Sequence, residues 1–387
     1  MSELITELMS EATPTAAIQV ISRSRSAAAA GRPAAGRPSA GRPGGGWFAG
    51  LLVGIAAGAI TFAGCKPRTT PVAEVRDGKR NVAVQLNWYA EAEHGGVYQA
   101  AADGTYEAAG FNVEVRPGGR ATPVAAEVVL GRADFAITNA DDVALFRAEG
   151  ADIVAVMASM QDHPRCILVR EDSGVNSLDG LSGLTLQRQE GQGFIEFLRL
   201  NGKLEGVREV PYHGSVSGLV GDPKVAIQAY SIAEPFLAKG EGANVRSLMV
   251  SDLGWNPYCS VLVTRGELIR EQPELVRDFV AATITGWQNY LADPTKGNAA
   301  ILAANQHGMT AEAVQFGSTE LVSLAVPEPM QVAELGKMEP DRWQTLITQM
   351  EQVQLLKPGA VKAEDCYTRE FLPKIAADAD AAAGATR

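Results

Sequence analysis

Asn87, Trp88 and His94 are the first residues of this chain whose types and spacing could do chemistry. They stand where an alternating stretch, residues 81–86, gives way to a helical pattern that opens at His94-Gly95-Gly96 and ends near Asp103-Gly104. A strand that ends in polar and aromatic groups and feeds a helix presents ligand contacts at its carboxyl end, beside the free N–H groups of the helix N-terminus. Trp88 could stack on a flat heterocycle, worth about 0.5–1.5 kcal/mol beyond area burial. His94 could bond a ring nitrogen or a phosphate by changing tautomer. The competing assignment uses Trp88 for packing between lobes and His94 as a helix cap.

Further along, Glu190-Gly191-Gln192-Gly193-Phe194 opens a helical run after a strand-like stretch at 184–187. Its glycines allow close backbone approach, its N–H groups suit an acceptor or anion, and Arg188 beside it could add a charge-assisted bond. An ordinary strand-to-helix turn has the same wording. Glu234 precedes Pro235 at the start of another helical run, where it either caps the helix or accepts N–H bonds from an amino-bearing ring. Trp255-Asn256-Pro257-Tyr258 supplies aromatic groups for a second ring face; Thr138 ends an apolar stretch, and Asp141 and Asp142 after it face a ligand or cap a helix. The ligand-contact candidates are thus Asn87, Trp88, His94, Thr138, Asp142, Arg188, Glu190, Gly191, Glu234, Trp255 and Tyr258. No arrangement of nucleophile and base, paired catalytic carboxylates or phosphate loop accompanies them.

The elements that must position these groups alternate. Strand patterns fall at 82–86, 112–115, 135–138, 153–158, 167–169, 184–187, 209–212, 226–229, 246–250 and 260–263, with helical runs between, including 121–130 and 142–149. After 264 the pattern is helical throughout, at 273–292, 295–305, 310–324 and 340–356. Such alternation predicts α/β structure with mostly parallel sheets flanked by helices. The apolar runs beginning at Cys166 and Cys259 read as adjacent crossover strands between two lobes. One lobe would comprise 79–164 and 264–375, the other 165–263, with a cleft between them that closes by hinge motion. In an export compartment Cys166 and Cys259 would be a disulfide or a pair of buried thiols.

The 387 residues, 46% hydrophobic, suffice for one large or two medium domains, and a net charge of −11 argues against a nucleic-acid partner. Four cysteines and four histidines are scattered without metal-ligand spacing, so no sequence-local metal site is expected. Residues 1–46 read as a disordered extension carrying Gly-Arg-Pro three times, and the uncharged apolar run that follows reads with Cys65 as an export segment, 47–65. Ala63-Gly64-Cys65 resembles a bacterial lipobox, which implies lipidation at Cys65; an uncleaved membrane anchor is the alternative. A tether at 66–78 and a frayed tail at 376–387 complete the expected organisation.

Leu86-Asn87-Trp88 with His94, Gly131-Arg132-Ala133-Asp134, Ala158 to Pro164, Ser177 to Gly183, Cys259-Ser260-Val261-Leu262 and Tyr290 to Pro294 together resemble a known family. It comprises bacterial substrate-binding proteins for thiamine-precursor pyrimidines and the related fungal thiamine-pyrimidine synthases; sulfonate, nitrate and riboflavin binders share much of the pattern. The resemblance implies a type II periplasmic-binding-protein fold of the two-crossover kind. It also implies a small-molecule ligand, with an ABC permease and ATPase as partners at the membrane. The synthases' lysine that holds pyridoxal phosphate falls here at Thr138, their histidine at Asp142, and their cysteine-rich run at Gly254 to Cys259 with one cysteine. Those departures imply a carrier without a cofactor rather than an enzyme; the aromatic positions and Glu234 favour an aminopyrimidine, with small anions as the alternative cargo and a synthase-like enzyme as the less favoured alternative.

Overall fold

The computed structural model describes residues 75, 76 and 78–373; the extension at 1–46, the export segment with Cys65, most of the tether and the tail at 376–387 lie outside them. Eleven strands follow in chain order among the described residues: β1 (Val75–Arg76), β2 (Lys79–Gln85), β3 (Phe111–Arg116), β4 (Phe135–Thr138), β5 (Ile153–Met160), β6 (Arg165–Arg170), β7 (Thr185–Arg188), β8 (Arg208–Pro211), β9 (Val225–Tyr230), β10 (Val245–Met249) and β11 (Cys259–Arg265). They form two sheets, β1-β2-β4-β11-β5 with β3 on β2, and β10-β6-β9-β7-β8.

The chain passes from the first sheet to the second between Met160 and Arg165 and returns between Met249 and Cys259. The crossovers are therefore connecting segments, and the strand expected to close the second lobe, β11, lies in the first sheet between β4 and β5. Cys166 and Cys259 accordingly sit in different sheets, on strands that are not neighbours, and both are buried free thiols.

Both sheets are mixed rather than mostly parallel. β3 and β4 run parallel to β2, and β8 and β9 parallel to β7. β11 is antiparallel to β4 and β5, and β6 is antiparallel to β9 and β10. The physical reason is the crossover: a strand arriving from the other lobe enters at the edge where its neighbours end, so it must run against them.

The helices after β11 pack on the first sheet. The helix Pro273–Ala292 turns Leu275, Val276, Phe279, Val280, Thr283, Trp287 and Tyr290 inward at helical spacing. Phe279 stacks between Tyr106 and Phe135 at centroid distances of 5.0 and 4.2 Å. Burying each such side chain contributes about 1.5–3 kcal/mol. A separate apolar cluster around Leu168, Leu219 and Ile227 underlies the second sheet.

Candidate ligand-binding cleft

β2, β3, β4, β7, β8, β9 and β10 all end at one cleft, and β6 begins there, so loops from both sheets line a space of about 730 Å³. Carboxyl ends of strands facing a crevice are where open α/β sheets bind ligands.

The loop after β2 carries Asn87, Trp88, Tyr89, Glu91 and Glu93 into the cleft. Gly118, after β3, donates its N–H to the Trp88 carbonyl at 2.8 Å, and a Cβ there would overlap the Leu86 carbonyl. Close approach of the two loops therefore needs glycine. His94 does not reach the cleft. It is fully buried behind the loop, with Nε2 3.0 Å from Oδ1 of Asn87. Gly95 and Gly96 are also buried; a Cβ on either would overlap Tyr290 or Trp287. Those two glycines serve helix packing, which corrects the expectation of free N–H groups at this helix start.

At the floor, Asp142 accepts from Thr138 Oγ1 at 2.8 Å. Asn139 is used at both ends of its amide: Nδ2 donates to the Tyr230 hydroxyl at 3.3 Å, and Oδ1 accepts from the Ser260 N–H at 3.3 Å. Glu234 both lines the cleft and holds its helix start, accepting from the Tyr230 N–H at 2.8 Å and the Tyr212 hydroxyl at 3.2 Å. Arg165 opens β6 with its guanidinium carbon 4.2 Å from the Tyr230 ring centroid and 4.8 Å from that of Phe194.

Besides the Asn139–Tyr230 bond, Asn256 and Arg120 tie the lobes at the edges of this space. Asn256, on the return crossover, accepts from the His163 N–H and donates to Asp162, both at 2.8 Å on the outward crossover. At the mouth, Arg120 from the loop after β3 donates to the His213 carbonyl from the loop after β8.

The electrostatics are lopsided. Among the described residues, Glu91, Glu93, Asp141, Asp142, Glu190 and Glu234 line the cleft against two arginines, Arg120 and Arg165, and no lysine. Burial pushes the Glu93 carboxyl up to about 7, with Glu234 adding to the rise and Arg165 opposing it. Burial, reinforced by Asp142, pushes Asp141 up to about 7 as well. Glu91 stands well above the usual carboxylate range through burial and its neighbours Glu93 and Glu234, and burial raises Asp142 and Glu234 too. His94 is driven down to about 3 by burial and is neutral. Crowded, poorly solvated carboxylates favour a ligand that brings positive charge or N–H donors.

With that geometry in place, the comparisons with known proteins decide the family. Residues 91–297, more than half of the chain, match the model described as NMT1/THI5 like. The chain belongs to the NMT1/THI5-like family. Among family relatives it is 26% identical over 254 residues to the riboflavin-binding protein RibY of Chloroflexus aurantiacus, covering 63% of this chain and 72% of that protein. It is 23% identical over 219 residues to the 4-amino-5-hydroxymethyl-2-methylpyrimidine phosphate synthase of Legionella pneumophila, covering 54% and 68%. The fold matches the periplasmic aliphatic sulphonate binding protein SsuA of Escherichia coli, with TM-score 0.57 and 15% identity over 76% of this chain and 94% of that one. The NMT1/THI5-like chain thus has the α/β periplasmic-binding-protein fold.

Of the candidates read from the sequence of this NMT1/THI5-like protein, Asn87, Trp88, Thr138, Asp142, Glu190, Glu234 and Trp255 line the cleft. Four stand elsewhere. His94 sits behind Asn87. Arg188 is spent on Glu209 of the adjacent strand β8, at 2.7 Å. Gly191 turns the chain at φ +75°. Tyr258 is buried, its hydroxyl accepting from the Glu339 N–H at 2.7 Å and its ring under Arg342. Sequence reasoning passed over Arg165, Tyr230 and Tyr212, which no motif singles out. Arg165 was the most legible of them: a cation directly after His163-Pro164, at the start of an apolar strand.

Proposed function

We propose that this protein is the extracytoplasmic substrate-binding lipoprotein of an ABC importer, anchored through Cys65 and carrying a flat, amino-bearing heterocycle, most favourably an aminopyrimidine precursor of thiamine. The observation that carries this reading is the composition of the cleft: six carboxylates against two arginines, lined also by Trp88, Tyr89, Phe194, Tyr212, Tyr230 and Trp255. Rings stack on aromatic faces and their amino groups satisfy carboxylates, whereas a sulfonate or nitrate brings no N–H donor for them. The periplasmic fold neighbour and the pyrimidine- and riboflavin-named relatives support an extracytoplasmic carrier of small molecules.

The synthase name of one relative motivates a second reading, an enzyme working with pyridoxal phosphate. The residues do not fit that cofactor. Among the described residues no lysine lines the cleft, and Thr138 instead donates its hydroxyl to Asp142.

A thermal-shift screen of the purified full-length protein tests the assignment. Candidate ligands are hydroxymethyl- and formylamino-pyrimidines, thiamine, riboflavin, taurine, alkanesulfonates and nitrate. A ligand at 100 times its Kd stabilises by about 2.7 kcal/mol, a shift of a few degrees. Shifts with aminopyrimidines are the expected result; shifts confined to sulfonates or nitrate would overturn the ligand class and keep the carrier role.

A further inference from the structure

Two buried polar atoms of cleft-lining residues have no hydrogen-bond partner among the described residues: Oδ1 of Asp141 and Nε of Arg165. They belong to opposite lobes. Asp141 lies in the first turn of the helix Ala140–Ala148, directly behind β4 of the first sheet. Arg165 begins β6 of the second sheet. The neighbouring polar groups are already satisfied: Asp142 by Thr138, Glu234 by Tyr230 and Tyr212, and Asn139 at both ends of its amide. The rings of Tyr230 and Phe194 hold the Arg165 guanidinium in place, and no ion pair joins it to Asp141 among the described residues.

A buried donor or acceptor left unmade is costly, and a ligand that completes it gains what the free protein lacks. The protein leaves one acceptor on one lobe and one donor on the other.

Resting on the reading that this cleft takes an amino heterocycle, we propose that Asp141 and Arg165 together select the ligand. An N–H of the ligand reaches the Asp141 carboxylate, and an acceptor atom of the same molecule reaches the Arg165 guanidinium. One molecule thereby joins the lobes. An aminopyrimidine offers both functions, an exocyclic amine and ring nitrogens, on a single edge. A sulfonate or nitrate offers acceptors only, so the Asp141 acceptor stays unmet. A site built to hydrogen-bond a group rejects the analogue lacking it far more strongly than an apolar pocket does.

The test is calorimetric titration of the full-length protein with two probes: 4-amino-5-hydroxymethyl-2-methylpyrimidine, and its analogue with methyl in place of the amine. Wild type is expected to prefer the amine by at least tenfold. Asp141→Ala collapses that preference to within about threefold, while Arg165→Gln weakens both probes by about tenfold and Arg165→Lys recovers part of the loss. The ratio of two affinities on one variant does not depend on the folded fraction, so a destabilised Asp141→Ala still reports; Asp141→Asn, isosteric and uncharged, is the second variant and shrinks the preference less. An undiminished amine preference in Asp141→Ala, or unchanged affinity in Arg165→Gln, overturns the assignment of these residues alone. A wild type that binds neither probe overturns the aminopyrimidine reading and this assignment with it.

Discussion

Nε2 of His94 stands 3.0 Å from Oδ1 of Asn87. Because burial keeps the imidazole neutral, Nε2 must carry the proton to donate to that oxygen. The amide nitrogen of Asn87 is then the end left for a ligand in the cleft that Asn87 lines. His94 positions a binding group and does not itself bind.

His94→Ala removes that constraint from a fully buried site, with an expected loss of about 1–3 kcal/mol in stability and up to about tenfold in ligand affinity. His94→Gln keeps a donor near Asn87 and recovers part of the affinity. Urea unfolding and calorimetric titration check both. Unchanged affinity in His94→Ala would leave Asn87 outside the binding machinery.

The two crossovers are clamped by Asn256, whose amide makes a 2.8 Å bond to each of His163 and Asp162. Asn256→Ala strands the buried His163 N–H. The expected cost is about 1–3 kcal/mol by denaturant unfolding. Solution scattering should also record a larger radius of gyration for the unliganded variant than for wild type, as the lobes lose their common hinge point.

At the mouth, Arg120 reaches the His213 carbonyl, and the following residue, Gly214, has φ +73° with Arg120 against its Cα. A side chain at 214 both strains the backbone and overlaps the guanidinium. Gly214→Ala is expected to release the latch. One net hydrogen bond of about 1 kcal/mol corresponds to roughly fivefold faster ligand release, with little change in the on-rate. Stopped-flow fluorescence, reading the tryptophans at the cleft, measures both constants.

The pH dependence has two opposing parts. Glu93 and Asp141 have folded-state pKa values raised to about 7, so the folded state holds more protons than the unfolded chain between roughly pH 4 and 7. Their contribution to stability is full below that window and is lost as pH rises through 7. His94 is lowered to about 3 and His163 also falls well below 6.5 through burial, so their contribution is present above 6.5 and is lost as pH falls. Glu93→Gln should therefore gain stability relative to wild type above pH 7 and not below pH 4. An amino-bearing ligand should release protons on binding near pH 6.5, seen as a buffer-dependent heat. Proton uptake would contradict carboxylate contacts.

Much of the architecture was legible because its signal is local. The alternating stretch before Asn87 is β2, the apolar run at 135–138 is β4, and the helix at 273–292 has the bounds its periodicity and Pro273 imply. Strand direction was not legible. β11 reads as an apolar strand in either lobe, and only its pairing with Thr138 and Met160 assigns it to the first sheet, antiparallel. The candidate site divides the same way. Asn87, Trp88 and Glu234 were found because strand ends and helix starts are punctuated by polar and aromatic residues. His94, Arg188 and Tyr258 follow the same punctuation and point elsewhere, toward Asn87, Glu209 and Glu339.

The sequence by itself determined the α/β class, the order of elements and the acidic, aromatic loops at the strand ends, since periodicity, turn residues and charge act over a few residues. The tertiary structure alone decided which of those loops share one cleft. It set Asp141 Oδ1 and Arg165 Nε on opposite lobes without hydrogen-bond partners among the described residues, and it gave His94 to Asn87 instead of to a ligand. Those outcomes depend on crossovers that bring residues far apart in the chain to one edge, and on burial, which removes water as an alternative partner and leaves each polar group dependent on the neighbours the fold supplies.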